Sequence, residues 1–191
     1  HDALPILDAR EIPFLEEFDA IGAFDVIEHI EEDETVLKQI QCALKPGGLL
    51  LLTVPQHRWL WSAVDDHAMH VRRYEARELH AKVVRAGFRV VRSTSFIVSL
   101  LAPMFAYRLM QRGERNTFNP HEGLKMNPLL NNIFEKCLHL ERALIQGGIS
   151  FPIGGSRLVA APYTLGRSIG PVARLADDEI PEDVQLGLVL H

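Results

Sequence analysis

The residues of this 191-residue chain that could do chemistry crowd into two short stretches. Glu28-His29 is one. The other, residues 56–74, carries His57, Trp59, Trp61, His67, His70, Arg72, Arg73 and Tyr74. A neutral imidazole takes a proton near neutral pH, so His70, mid-loop beside two arginines, is the first candidate for a general base. His29 is the second, although a buried, hydrogen-bonded loop histidine is the plainer use of that residue. Arg72 and Arg73 present flat, permanently charged forks that suit a carboxylate or phosphate. Trp59 and Tyr74 complete the candidate substrate-binding set. Arg73 and Tyr74 could equally pack against and cap the helix that comes next. The histidines at 57, 67 and 70 lack a fourth ligand in register, so no metal site is expected. No G-x-S-x-G turn is present, which argues against a hydrolase.

Composition narrows the classes. Hydrophobic residues make up 47% and charged residues 24%, the globular norm, and the length suffices for one domain with a core. A net charge of −5 is wrong for gripping phosphates along a strand, so no nucleic-acid partner is expected. The two cysteines, Cys42 and Cys137, are far apart and suit a reducing cytoplasm. The first residues lack the basic-then-apolar pattern of a signal peptide. The longest apolar stretch, residues 96–110, is about 15 residues and holds Pro103 and Arg108. That falls short of the roughly 20 that span a bilayer.

The elements that must position these residues read as alternating strands and helices. Residues 19–24 are short and apolar, a buried strand, and Gly22 within it suggests close approach by a backbone or a ligand. Residues 32–44 place Val36, Leu37, Ile40 and Leu44 on one helical face. Lys45-Pro46-Gly47-Gly48 stops that helix, and 49–54 reads as a second strand. Strand, helix, strand with short links implies a parallel sheet. Residues 56–74 read as a polar loop, 76–86 as a helix closed by Gly87, and 88–96 as a third strand. Helices come next over 97–112 and 128–146, joined by a polar link at 113–127. Residues 156–164 read as a last strand, at an antiparallel edge where Pro162 is tolerated. The tail from 165 on, with its acidic run at 177–183, reads as a frayed terminus.

Three segments in this order resemble class I S-adenosylmethionine-dependent methyltransferases. Asp8-Ala9-Arg10-Glu11-Ile12-Pro13-Phe14 is similar to the family's D-A-x-x-L-P-F loop. Phe18-Asp19-Ala20-Ile21-Gly22-Ala23-Phe24-Asp25-Val26-Ile27-Glu28-His29-Ile30 resembles its fourth strand and the loop after it. Leu44-Lys45-Pro46-Gly47-Gly48-Leu49-Leu50-Leu51 resembles its L-K-P-G-G turn and fifth strand. The likeness covers residues 4–96. It extends to Trp59-Leu60-Trp61-Ser62 and His70-Val71-Arg72-Arg73-Tyr74, as in a bacterial subgroup.

The resemblance implies an α/β, Rossmann-like methyltransferase sheet over 1–164, mostly parallel with the last strand antiparallel, and a helical insertion at about 97–150. It implies S-adenosyl-L-methionine as cofactor. Asp8 would accept a hydrogen bond from the adenine amine and the Ala9 backbone would reach a ring nitrogen; otherwise Asp8 is a turn aspartate. Phe24 and Asp25 would meet the methionine end, unless Asp25 is a solvent-facing loop acid. The family's glycine-rich G-x-G-x-G turn does not precede Asp8, so the domain reads as N-terminally incomplete. The acceptor is expected to be a small or lipid-like molecule, because Phe96, Ile97, Leu100, Leu101, Met104 and Phe105 form an apolar surface. Peripheral membrane contact and a homodimer through an exposed sheet edge are further expectations. The competing reading is a non-catalytic methyltransferase-like module that binds a partner through the insertion.

Overall fold

Burial alternates along the central strands, and that alternation sets the two faces of the sheet. The computed structural model describes residues 8–103, 105, 128–164 and 189–190. Strand β1 is Phe18–Phe24 and β2 is Leu44–Pro55. Ile21 and Ala23 of β1 and Leu50, Leu52 and Val54 of β2 are fully buried on one face. Helix α1, Asp33–Ala43, lays Val36, Leu37 and Ile40 on that face. Helix α3, Ala76–Arg85, adds Leu79 and Val83. Each such side chain is worth about 1.5–3 kcal/mol when taken out of water, so this face holds the fold together.

Between β2 and α3 the chain is more structured than a polar loop. It contains a short 3-10 turn at Arg58–Leu60 and helix α2, Ala63–His67. Its base is tied shut: the Tyr74 N–H donates to the Pro55 carbonyl and the His57 N–H to the Tyr74 carbonyl, both at 3.0 Å. Strand β3, Arg92–Phe96, is shorter than the apolar pattern suggests, and Phe88 makes only an isolated bridge to Tyr163. Helix α4, Pro128–Gln146, has the expected bounds. Strand β4 is Ser156–Pro162 and β5 is Val189–Leu190.

The sheet order is β3-β4-β2-β1-β5. The pairs β1–β2 and β1–β5 are parallel, and β4 is antiparallel to both of its neighbours, β2 and β3. The expected mostly parallel sheet with one reversed long strand is therefore present. One detail is corrected: β4 lies inside the sheet and not at an edge. Pro162 is accommodated because it is the last residue of the strand, where its carbonyl still accepts from Arg89 at 3.0 Å. A second correction concerns Lys45-Pro46-Gly47-Gly48. It is a bulge within β2, since Phe18 pairs with Leu44 and Ala20 with Leu49, and Gly47 supplies the required φ of +88°. A third concerns the tail, whose Val189 and Leu190 pair with Gly22 and Ala23. The expectations for residues 4–7, Met104, 106–127 and 165–188 lie outside the described residues.

Gly87 closes α3 as expected, at φ +95°, with its N–H donating to the Val84 carbonyl. Gly154 answers to a tighter constraint. A Cβ there would lie 2.3 Å from the Phe96 carbonyl oxygen and 2.8 Å from the Ser95 Cβ. Neither atom can swing away, because both belong to β3. Gly154→Ala is therefore expected to cost about 1–3 kcal/mol of stability, read as a lower denaturant midpoint with an unchanged slope. An unchanged midpoint would show that β3 and the 154 turn are not held in this contact.

Candidate active site

Parallel strands β1 and β2 end side by side, and the segments that leave them form the mouth of the sheet. Asp25 turns the chain at φ +54° while its N–H still donates to the Thr53 carbonyl at 3.1 Å. One 3-10 turn, Ile27–His29, comes next. It puts Glu28 inside the protein and His29 at the surface. The Val71 N–H donates to the Glu28 carbonyl at 2.8 Å, which laces the 57–73 loop to this turn.

Asp65 organises that loop. Its carboxylate is fully buried. Oδ2 accepts from the Ser62 N–H at 2.8 Å and the Ser62 hydroxyl at 3.1 Å. Oδ1 accepts from Arg73 Nε at 2.7 Å and lies 2.9 Å from His70 Nδ1. Burial pushes the Asp65 carboxyl up, but the hydrogen bonds from Arg73 and His70 outweigh it and hold the group below the usual carboxylate range. An ionised carboxylate only accepts, so His70 Nδ1 carries a proton and donates it to Asp65, and Nε2 lies on the far side of the ring. The His70 ring meets His29 edge to face, with centroids 4.7 Å apart. The two histidines chosen as base candidates are thus brought together.

The substrate-binding candidates are placed differently. Arg73 is buried, with Nη1 donating to the Gln56 carbonyl at 3.0 Å as well as Nε to Asp65. Tyr74 is buried too, and its hydroxyl donates to Asp33 Oδ2 at 2.7 Å. Asp33 also meets Lys82, and Arg72 Nη1 at 2.8 Å; Arg72 Nη2 reaches Glu31. Burial raises the Asp33 carboxyl, and the hydrogen bonds from Lys82, Tyr74 and Arg72 more than reverse this. Arg73 and Tyr74 thus take the packing use that the sequence also allowed, although Arg73 lines a pocket of about 370 Å³ together with Arg72. A buried guanidinium needs a carboxylate and a buried phenol needs an acceptor, and both are spent on holding the loop to α1 and α2. Trp59 alone of the set is open, at 55% exposure, stacked on His57 and edge-on to Phe105.

At the other end, the Asp8 carboxylate accepts from the Arg10 N–H at 2.9 Å and from the Arg10 side chain at 2.7 Å. Hydrogen bonds from Arg10 pull its pKa down to about 2. It is a turn aspartate that remains half-exposed. Ala9 is buried. Phe24 is 37% exposed, and its ring fills the space beside Gly22, where a Cβ would stand 2.7 Å from it. The close approach expected at Gly22 is therefore made by Phe24, two residues on. Asp25 is exposed.

Residue type and spacing do not single out Glu28, yet the fold does. It is fully buried, neither carboxylate oxygen has a hydrogen-bond partner, and burial pushes its pKa up to about 8, with Asp25 adding to the rise. One ligand atom each from Glu28, His29 and His70 lie within 4.8 Å of one another, so the histidine at 70 clusters with 28 and 29 and not with 57 and 67. Asp65 is likewise absent from the residues picked out by type, although its signal is legible: Ser62-x-x-Asp65 has the spacing of a capping box.

Residues 7–93 match the family model described as a methyltransferase domain. The sheet order β3-β4-β2-β1-β5 agrees with the mixed, mostly parallel Rossmann-like sheet that the sequence leads one to expect. No curated protein matches the chain. Among solved structures, the protein in complex with the Haloferax volcanii Trm112 methyltransferase activator is 16% identical, with TM-score 0.49, covering 82% of this chain and 59% of that one. Haemonchus contortus phosphoethanolamine N-methyltransferase 2, solved with S-adenosyl-L-methionine, is 20% identical, with TM-score 0.46, covering 82% and 36%. An S-adenosylmethionine-dependent methyltransferase from Mesorhizobium loti is 13% identical, with TM-score 0.46, covering 82% and 67%. The chain thus spans 59% of the first of these proteins and 36% of the second. Among the described residues, no helix is long and apolar enough to cross a membrane.

Asp65→Asn leaves Arg73 buried without its counter-charge, and is expected to cost about 3–5 kcal/mol in chemical denaturation at neutral pH. The pH dependence has a definite sign. A carboxyl whose folded pKa is depressed stabilises the fold above its unfolded value of about 3.9, and that stabilisation is lost as pH falls through the folded value. The acid limb of the stability curve should therefore flatten in the variant. An acid limb identical to the parent's would show that Asp65 is not the group responsible.

Proposed function

We propose that this chain works in an S-adenosylmethionine-dependent methyltransferase acting on a small or lipid-like acceptor, with His70 as the acceptor-side base. The observation that carries this reading is the His70 imidazole. Buried Asp65 sets its tautomer, and it lies beside the turn after β1, within the segment that matches the methyltransferase domain.

The chemistry of the open groups suits the cofactor. Asp8 and Asp25 are exposed carboxylates, acceptors of the kind that an adenine amine and a methionine ammonium require. Ala9 and Phe24 would line the same path. The cofactor supplies a methyl group on a sulfonium, ready for in-line displacement. The protein's part is positioning and proton removal. His70 Nε2 accepts the proton that the acceptor loses, and Asp65 stabilises the imidazolium that results. His29 limits how the His70 ring can rotate. Trp59 offers an apolar wall to the acceptor.

A cavity of about 440 Å³ between α4 and the sheet supports a lipid-like acceptor. Its wall is mainly apolar, with Phe96, Ile97, Leu138, Ile145 and Leu158, and Glu141 and Arg142 also line it. Ile133 and Leu140 of α4 are exposed apolar residues. They favour the second reading, in which the helix binds a partner or a membrane surface and the domain does no chemistry.

Calorimetry with S-adenosylhomocysteine separates the two, run on this chain and on a version extended upstream. Binding by either is the expected result, and binding by neither would sink the enzymatic reading. His70→Ala is expected to lower methyl transfer about 10²–10⁴-fold while leaving S-adenosylhomocysteine binding intact. Near-normal turnover would remove His70 from the site.

A further inference from the structure

We propose that Glu28, His29 and His70 form a binding site for a divalent transition-metal ion of the zinc type at the mouth of the sheet. Two imidazoles and one carboxylate are a complete protein ligand set for a zinc ion that keeps one position open. The geometry is close to what such an ion needs. The three ligand atoms lie within 4.8 Å of one another. Tetrahedral coordination at about 2.1 Å sets ligand atoms about 3.4 Å apart, so shifts of under about 1 Å per side chain close the site. His29 is at the surface, packed edge to face on His70.

Two further observations point to a ligand. Both oxygens of the fully buried Glu28 carboxylate lack a hydrogen-bond partner. A buried carboxylate without a partner is costly, and an ion would satisfy it. The second is the arrangement behind His70. Its Nδ1 donates to Asp65, which leaves Nε2, on the far side of the ring, as the nitrogen that can face a ligand. Asp65 is itself fastened by Arg73 and Ser62. A carboxylate behind a histidine is the outer shell that orients metal-binding imidazoles. Asp65 would be a positioning residue and not a ligand.

This inference deepens the acceptor-side reading and rests on it. In the metal-free site His70 Nε2 is a base. With the ion bound that nitrogen becomes a ligand and takes no proton; an acceptor held at the ion's open position would have its own pKa lowered, so that its proton leaves to solvent before the methyl group is transferred.

The test is calorimetric titration of Zn²⁺ alone, then Co²⁺ alone, into the metal-stripped chain carrying no added histidine tag. One equivalent of each is expected to bind, and Co²⁺ should show the visible absorption of a low-coordinate nitrogen and oxygen site. Glu28→Gln keeps the shape of the side chain and is expected to weaken binding at least tenfold with an unchanged circular dichroism spectrum; His70→Ala should do the same. Failure of the parent chain to bind one equivalent overturns the proposal. So does binding that survives both substitutions, since one of the other histidines would then hold the ion. S-adenosylhomocysteine is titrated separately. Cofactor binding without metal binding removes only the metal site, and metal binding without cofactor binding supports the site while removing the methyltransferase reading.

Discussion

A charged carboxylate taken out of water costs several kcal/mol unless positive or N–H groups close around it, and Asp65 meets that condition at the expense of its neighbours' freedom. Arg73, His70 and Ser62 all turn inward to it. Arg73 cannot then reach solvent, and in facing Asp65 it also clamps the Gln56 carbonyl at the end of β2. The His70 ring is fixed in one tautomer and held against His29. One buried charge thereby sets the loop's path, the proton on its histidine and the distance between two groups that are far apart in the chain.

Asp33 does the same work one layer away. It gathers Tyr74, Arg72 and Lys82 from the loop and from α3 onto the first turn of α1. Between them the two aspartates use up three consecutive residues, Arg72, Arg73 and Tyr74. Basic side chains beside a candidate base look like an anion grip in a sequence. In the fold their charges are already balanced. The open surface is instead Trp59, the exposed turn at His29 beside His70, and the cavity under α4.

The sheet places all this with little freedom. β1 and β2 run parallel and in register for five consecutive pairs, Ala20–Phe24 with Leu49–Thr53, so the residues after Phe24 and Val54 leave at one level. β4 runs the other way between β2 and β3, which brings Ser156 and Phe96 to that same end. The apolar cavity and the histidine pair are therefore both built at the mouth of the sheet, from segments up to about a hundred residues apart in the chain.

Much of this was legible in the sequence by itself, because local patterns carry it. Apolar runs at 19–24 and 49–54, helical spacing in 33–43 and 128–146, and a glycine after α3 each arise from the periodicity of one element. The family likeness rests on the same local segments. The chemistry of the site was only half legible. His29 and His70 stood out by type, but their meeting did not, since it depends on how a loop folds back over a strand end. Burial was the other hidden quantity. Whether Arg73 is a grip or a strut, whether Glu28 is solvated or stranded, and whether Asp65 caps a short helix or also aims a histidine depend on what surrounds each group. Long-range packing supplies those surroundings, and residue order along the chain does not contain them.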